Sequence, residues 1–518
     1  MLTMVSALER AQRLFGARRA IIDREGEFTW SEFFERVTRV AGILRGLGVR
    51  QGDRYAILCR NTFRHAELIH AGYWMGAIPV PVNYRLAAPE IRFILEDADC
   101  KFLIVEDALI GLIAFDELAQ WRDRILYVAP ENADVEWPQY EALLASTQPI
   151  DFHPSAEDDD AILLYTGGTT GRSKGVRLSH GNVFSNGMQV THPMGIRSDD
   201  VYFHLAPMFH SADLLGTCFT QCGAAHSYLA QFTPVDALSA IQDFGITVAM
   251  MAPTMIILTL QDENFDEFDL SSFRLLFYGS SPMAVEWIRR AMERFKGVEI
   301  QQGYGLTETS PILTTLDPMG HQEALDSGEY GILRSVGRPL VSIDLRIVDD
   351  ENIEVPFGEA GEVVVRGPNV TKGYLNRPEE NERAFRDGWF HTGDVGSVDK
   401  DGNMYLLDRK KDMIITGGEN VYSSEVEAAL YQHPGVNEAA VVGVPDEKYG
   451  EALFAVIVPA PGANPTEDEI IAHCRERIGG YKIPRRMAFI DEMPKSAMGK
   501  ILKTELRRMF GGTTSERT

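Results

Sequence analysis

Tyr165-Thr-Gly-Gly-Thr-Thr-Gly-Arg-Ser-Lys-Gly175 is the stretch that decides how this chain is read. It leaves a short apolar run, Ala161–Leu164, expected to be a buried strand, and it holds four glycines, three threonines, a serine and a lysine in eleven residues. Glycines let backbone N–H groups converge on an anion, and hydroxyls with the Lys174 ammonium add donors and positive charge. The composition therefore points to a phosphate-binding loop over a plain solvated one. It is not a Walker loop, because Lys174 precedes Gly175 where that pattern needs Gly-Lys-Ser/Thr, and the spacing does not fit a dinucleotide fingerprint.

Around this loop lie 518 residues, too many for one hydrophobic core, so at least two domains are expected. The 45% hydrophobic and 24% charged content is that of a soluble globular chain. No run approaches the ~20 apolar residues of a membrane span. Met1 to Arg13 lacks a signal-peptide core, which makes a cytoplasmic enzyme the expectation. A net charge of -25 argues against general nucleic-acid binding. The five cysteines, Cys59, Cys100, Cys218, Cys222 and Cys474, read as free thiols, not as zinc ligands or disulfides.

The chain alternates short apolar strands with amphipathic helices, which implies sheets covered by helices. Thr29 and Glu32 form a capping-box pattern, as do Thr466 and Glu469, and Ser179 with Asn182 caps a further helix. Glu157–Asp160 reads as a solvated approach to the loop. Leu205–His210 places Phe209 and His210 at a strand end, where α/β proteins present ligand contacts. A strand over Leu275–Tyr278 ends in Gly279-Ser280-Ser281, and Val298–Gln301 leads into a glycine-containing turn, Gln302-Gly303-Tyr304-Gly305-Leu-Thr307-Glu308-Thr309. There Tyr304 suits a base, Thr307 a phosphate and Glu308 a magnesium ion. Beyond Val341 the pattern becomes β-rich, with strands over Asp344–Val348 and Gly361–Arg366 and with Asp394 expected in a tight turn, suited to ribose hydroxyls. Asp408–Asp412 is a charged break, followed by a compact β/α region of ~110 residues able to form its own core. The domains are accordingly 1–408 and 409–518, and the tail from Gly511 reads as disordered.

Taken together these motifs resemble the adenylate-forming superfamily of acyl-CoA synthetases, luciferases and adenylation domains, over nearly the whole chain and in the expected order. The resemblance implies an α/β multidomain fold: a large N-terminal AMP-binding domain of two αβ layers plus a β-barrel-like part, and a small mobile α+β lid. It implies ATP and CoA as co-substrates, Mg2+ as cofactor, and a small-molecule carboxylic acid as the third partner, with no nucleic acid and no integral membrane contact; a homodimer stays open. Thr166, Gly167, Gly168, Thr169, Thr170, Gly171 and Lys174 would close on the β- and γ-phosphates. Tyr304 would stack on adenine, with Gly279, Ser280, Ser281, Gln302 and Gly303 lining the base. Thr307 would contact the α-phosphate, Glu308 the magnesium, and Asp394 with Arg409 the ribose. Lys500 would bridge the carboxylate and the α-phosphate, Lys411 would be the hinge, and Gly417 and Gly418 would border a pantetheine tunnel.

Phe209, His210, Thr254, Met255, Gly279, Gly305 and Pro311 would line the acyl pocket, which favours a hydrophobic fatty or aryl acid; Asp213 keeps an amino group open. Gly167 stands where the family usually has serine, and Met498 replaces a small or hydroxylic residue. The alternatives are an adenylation enzyme loading a carrier protein and a nucleotide-binding regulator that lost its chemistry. The absence of a carrier domain after the lid disfavours the first, and the presence of Glu308 and Lys500 the second.

Overall fold

A computed structural model describes residues 2–129, 134–166, 173–446, 448–496 and 500–511. Gly167, Gly168, Thr169, Thr170, Gly171, Met498 and the tail after Gly511 lie outside the described residues. The largest sheet has nine strands, in the order Arg338–Pro339, Thr314–Leu316, Glu299–Tyr304, Leu275–Gly279, Val248–Met251, Val201–His204, Ala225–Tyr228, Arg19–Asp23 and Gly26–Thr29. The six from Glu299–Tyr304 to Arg19–Asp23 are parallel. Val248–Met251 and Leu275–Gly279 are buried at every position, as parallel strands covered on both faces must be. A four-stranded parallel sheet, Ile78–Pro81, Arg54–Leu58, Cys100–Glu106 and Ile125–Val128, forms a second layer with its own helices.

Between these parts the strands Asp160–Thr166 and Lys174–Ser179, which flank the glycine-rich stretch in sequence, pair antiparallel from Asp160 opposite Ser179 to Thr166 opposite Lys174. Asp160 is not simply solvated: it opens the first strand and binds Arg177 at 2.9 Å and Lys372 at 2.7 Å. The strands from Asp344 to Arg409 form a five-stranded antiparallel sheet in the order Asp344–Val348, Gly361–Arg366, Trp389–Val398 and Phe385–Arg386, with Met404–Arg409 also on Trp389–Val398. Among the described residues no strand pairing closes this sheet into a complete barrel.

Two sequence expectations change here. Asp394 lies inside the long Trp389–Val398 strand, not in a tight turn. The glycine beside it, Gly393 at φ +71, sits where the register against Gly361–Arg366 slips, so the local kink is a bulge imposed by neighbouring strands. Gln302, Gly303 and Tyr304 likewise belong to a strand, because Thr314–Leu316 returns antiparallel beside them.

The C-terminal sheet, Glu419–Val421, Ile414–Thr416, Gly450–Pro459 and Val436–Asp446 with Arg486–Phe489, has helices Ser423–Leu430 and Glu467–Arg475 on its core. Its buried residues, among them Val426, Leu430, Val441 and Ile457, pack on one another. The cysteines are all free, and Cys222 alone is only half-buried. Among the described residues no helix is long and apolar enough to cross a membrane.

Candidate active site at the strand ends

Five parallel strands of the large sheet terminate side by side in Tyr304, Gly279, Met251, His204 and Tyr228. Ligands of open α/β sheets bind outside such carboxyl ends. The loops leaving them bring together most of the residues singled out from sequence.

Tyr304 donates its hydroxyl to Asp394 Oδ2 at 2.6 Å, and Arg409 Nε meets Asp394 Oδ1 at 2.7 Å. Asp394 and Arg409 face each other because their strands pair in register. Burial, then the neighbouring carboxylate, pushes the Tyr304 hydroxyl well above its ordinary range, so it stays a donor. Tyr304 is only 9% exposed, and its ring packs with Leu313, Val336 and Val363. Each carboxylate oxygen of Asp394 keeps a further lone pair for a hydroxyl.

Ser280, at φ +71, holds a left-handed conformation directly after Gly279, a strained position of the kind found in binding loops. A Cβ on Gly305 would lie 1.9 Å from the Pro311 carbonyl oxygen, so packing of the turn already requires glycine there. Thr307 Oγ1 lies 2.9 Å from Ser211 Oγ, which ties the Thr307–Thr309 turn to the segment after His210. Glu308 receives the Tyr374 hydroxyl on Oε1 at 2.8 Å, while Lys174 Nζ stands 5.1 Å above the Tyr374 ring. Tyr374 therefore connects the glycine-rich hairpin to Glu308.

His210 accepts from the Ala212 N–H through Nδ1 at 3.2 Å. Burial, then the Lys500 charge, lowers its pKa to about 4, so the ring is neutral and Nε2 carries the proton. Lys500, from the C-terminal part, is exposed by surface area, yet protein surrounds it closely enough to matter electrostatically. Desolvation, then Arg409, outweighs Asp394 and Asp412 and brings its pKa down to about 8. Lys500 is thus within electrostatic reach of Arg409, Asp394 and His210. Lys411 is exposed, in the turn in which Asp412 N–H bonds Arg409 O at 2.8 Å. Gly417 and Gly418 form the turn of a hairpin, at φ +62 and +87. A Cβ on Gly418 would meet nothing within 4 Å, so conformation and not close approach explains that glycine here.

Sequence reasoning missed Tyr374 and Ser211. Neither belongs to a spaced motif; Ser211 adjoins His210, which was the one available signal.

Residues 8–375 match the family model described as AMP-binding enzyme, and residues 425–500 match the AMP-binding enzyme C-terminal domain. The chain belongs to the AMP-binding enzyme family. This AMP-binding enzyme is 40% identical to a feruloyl-CoA synthase from Amycolatopsis sp, over 93% of this chain and 94% of the relative. It is 34% identical to a 2-succinylbenzoate–CoA ligase from Geobacillus kaustophilus, over 99% of both chains. The solved o-succinylbenzoate CoA synthetase from Bacillus subtilis, in complex with its acyl-adenylate intermediate, superposes on this AMP-binding enzyme with a TM-score of 0.84. The two are 30% identical, over 99% of this chain and 98% of that one.

Proposed function

We propose that the protein is an ATP-dependent acid–CoA ligase for a hydrophobic carboxylic acid, aryl in preference to fatty. The observation that carries this reading is the Tyr304–Asp394–Arg409 network at the strand ends, with Lys500 in electrostatic reach of Arg409 and of a neutral His210. That is where a carboxylate, a ribose and an α-phosphate would have to converge. The names of the feruloyl and succinylbenzoate relatives favour the aryl class.

In the first half-reaction a carboxylate oxygen attacks the α-phosphorus of ATP and pyrophosphate leaves; in the second the CoA thiolate attacks the acyl carbon and AMP leaves. Phosphoryl chemistry of this kind needs positioning and charge neutralisation above all. Lys500 supplies a cation to both anionic oxygens, Thr307 and the His210 Nε2–H supply donors, and Asp394 with Arg409 holds the ribose. Lys174 and its loop receive the outer phosphates. Glu308 fits a magnesium ion: Tyr374 occupies one carboxylate oxygen and the other makes no hydrogen bond among the described residues. Among the described residues no three-residue acidic or histidine cluster exists to hold a metal alone, which suits an ion bound largely by phosphates and water. When bound, that ion neutralises phosphate charge. Residues 1–408 and 409–518 act as body and lid, hinged at Lys411, so that one active site serves both steps.

The test is to mix the protein with ATP, magnesium, CoA and a panel of aryl and fatty acids and to measure AMP and thioester. AMP without thioester would point to another thiol acceptor; neither product with any acid would refute the ligase.

A further inference from the structure

The sheet face beyond the acyl side of the cleft is polar. Tyr202 and His204 on one strand, and His226 and Tyr228 on the next, alternate onto the same face and pair in register. His204 Nδ1 lies 2.5 Å from Asp213 Oδ1, and its Nε2 lies 2.9 Å from His226 Nδ1. His226 Nε2 reaches Thr220 Oγ1 at 3.2 Å, and the Tyr228 ring stacks on His204 with centroids 4.4 Å apart. Helix Phe63–Met75 adds His65 and His70, whose Nε2 and Nδ1 respectively are buried with no hydrogen-bond partner among the described residues.

A chain of this kind could serve only to tie strands together, and that role accounts for His204 and His226. It leaves two groups unexplained. Neither Asp213 Oδ2 nor the Tyr228 hydroxyl makes a hydrogen bond among the described residues, yet both residues keep accessible surface. Burial nevertheless raises the Tyr228 hydroxyl well above its ordinary pKa, with Asp213 as the next cause. With Asp213 held on His204 at one strand end and Tyr228 stacked on the same ring from the end of the next strand, the two half-buried groups border one recess. Asp213 stands three residues past His210 and two past Ser211, the partner of Thr307, so the recess continues the acyl side of the site. His204 and Tyr304 end strands three spacings apart, about 14 Å, which leaves room for an aryl acid laid across the strand ends.

We propose that Asp213 and Tyr228 receive a phenolic hydroxyl at the far end of an aryl acid, with His204 and His226 fixing the Asp213 carboxylate. This rests on the ligase reading above and names its substrate class. One Asp213 oxygen is taken by His204, which leaves the other as an acceptor facing the recess. An acid that ends in a methyl group would desolvate that oxygen without pairing it, and sites built to bond a substrate hydroxyl reject analogues lacking it strongly. The flat stack of Tyr228 on His204 suits a planar ring.

The experiment compares kcat/KM for 4-hydroxycinnamate, 4-methylcinnamate and 4-aminocinnamate, by AMP release, in the wild type, Asp213→Asn and Tyr228→Phe. The wild type should prefer the hydroxy over the methyl acid by about 100-fold or more. Asp213→Asn can keep its bond to His204 while turning an amide NH2 toward the recess, and should bring that ratio toward unity. Tyr228→Phe, which deletes one hydroxyl, should lower it several-fold. Equal turnover of the hydroxy and methyl acids, a ratio unmoved in both variants, or a preference for the amino acid analogue overturns the inference while leaving the ligase intact. No AMP with any aryl acid overturns the inference and the aryl preference, and no AMP with the fatty acids either overturns the ligase as well.

Discussion

Lys500 holds its charge at a cost, being desolvated beside Arg409, and its pKa of about 8 makes that visible in a pH profile. The cation is the useful form, so kcat/KM for adenylation should fall as pH rises through about 8, and Lys500→Arg should remove that alkaline limb from the accessible range. An ammonium ~4 Å from one anionic oxygen is worth roughly 4 kcal/mol at an effective dielectric near 20, about 10^3 in rate. Lys500→Ala should therefore cut pyrophosphate exchange about 10^3-fold while a supplied acyl-adenylate is still converted to thioester; equal loss in both steps would remove Lys500 from its role. Tyr374 acts through Glu308. Tyr374→Phe should raise the magnesium requirement about 10-fold with little change in melting temperature, and Glu308→Gln should raise it further. A magnesium titration of the initial rate checks both, and an unchanged requirement would place the ion elsewhere.

At the scale of elements, local signals were the legible ones. The capping boxes at Thr29 and Glu32, Ser179 and Asn182, and Thr466 and Glu469 all form, because capping is decided within four residues. Asp394 was misread because its bulge depends on strands on either side of it, and Tyr374 was missed because Glu308 lies 66 residues away. The turn at Lys411 was legible as a charged break, though not that Asp408 reaches past it: its carboxylate accepts from the Ser423 N–H at 2.6 Å and hydroxyl at 2.5 Å, at the start of helix Ser423–Leu430. Proline is disfavoured at the third position of a type I turn, which is where Lys411 sits, so Lys411→Pro should oppose the present arrangement, in which Lys500 comes within electrostatic reach of Asp394 and Arg409. Pyrophosphate exchange should then fall by orders of magnitude while a supplied acyl-adenylate is still converted to its CoA ester. Pre-steady-state measurement of the two steps, with circular dichroism as the folding control, decides this; parallel loss in a folded variant would mean that the chain does not pivot there.

At the scale of the whole molecule, the C-terminal sheet carries its own core, built from residues such as Ile414, Leu430, Val441 and Ala455. Residues 409–518 expressed alone should show a cooperative thermal transition. A fragment beginning at Met404 should be about 1 kcal/mol more stable, because it retains the Asp408 carboxylate on the first turn of the helix. A gradual, non-cooperative melt of both would count against the boundary at 408. His204, Tyr228 and Tyr304 end strands of one continuous sheet, whereas Lys500 lies beyond Arg486–Phe489, the last strand of the C-terminal sheet. In the proposed reaction, then, inspection of the acid and commitment of ATP fall to separate bodies. The acid's seat stays still while the lid turns, so an acid accepted before ATP is spent needs no second inspection when the thiol arrives.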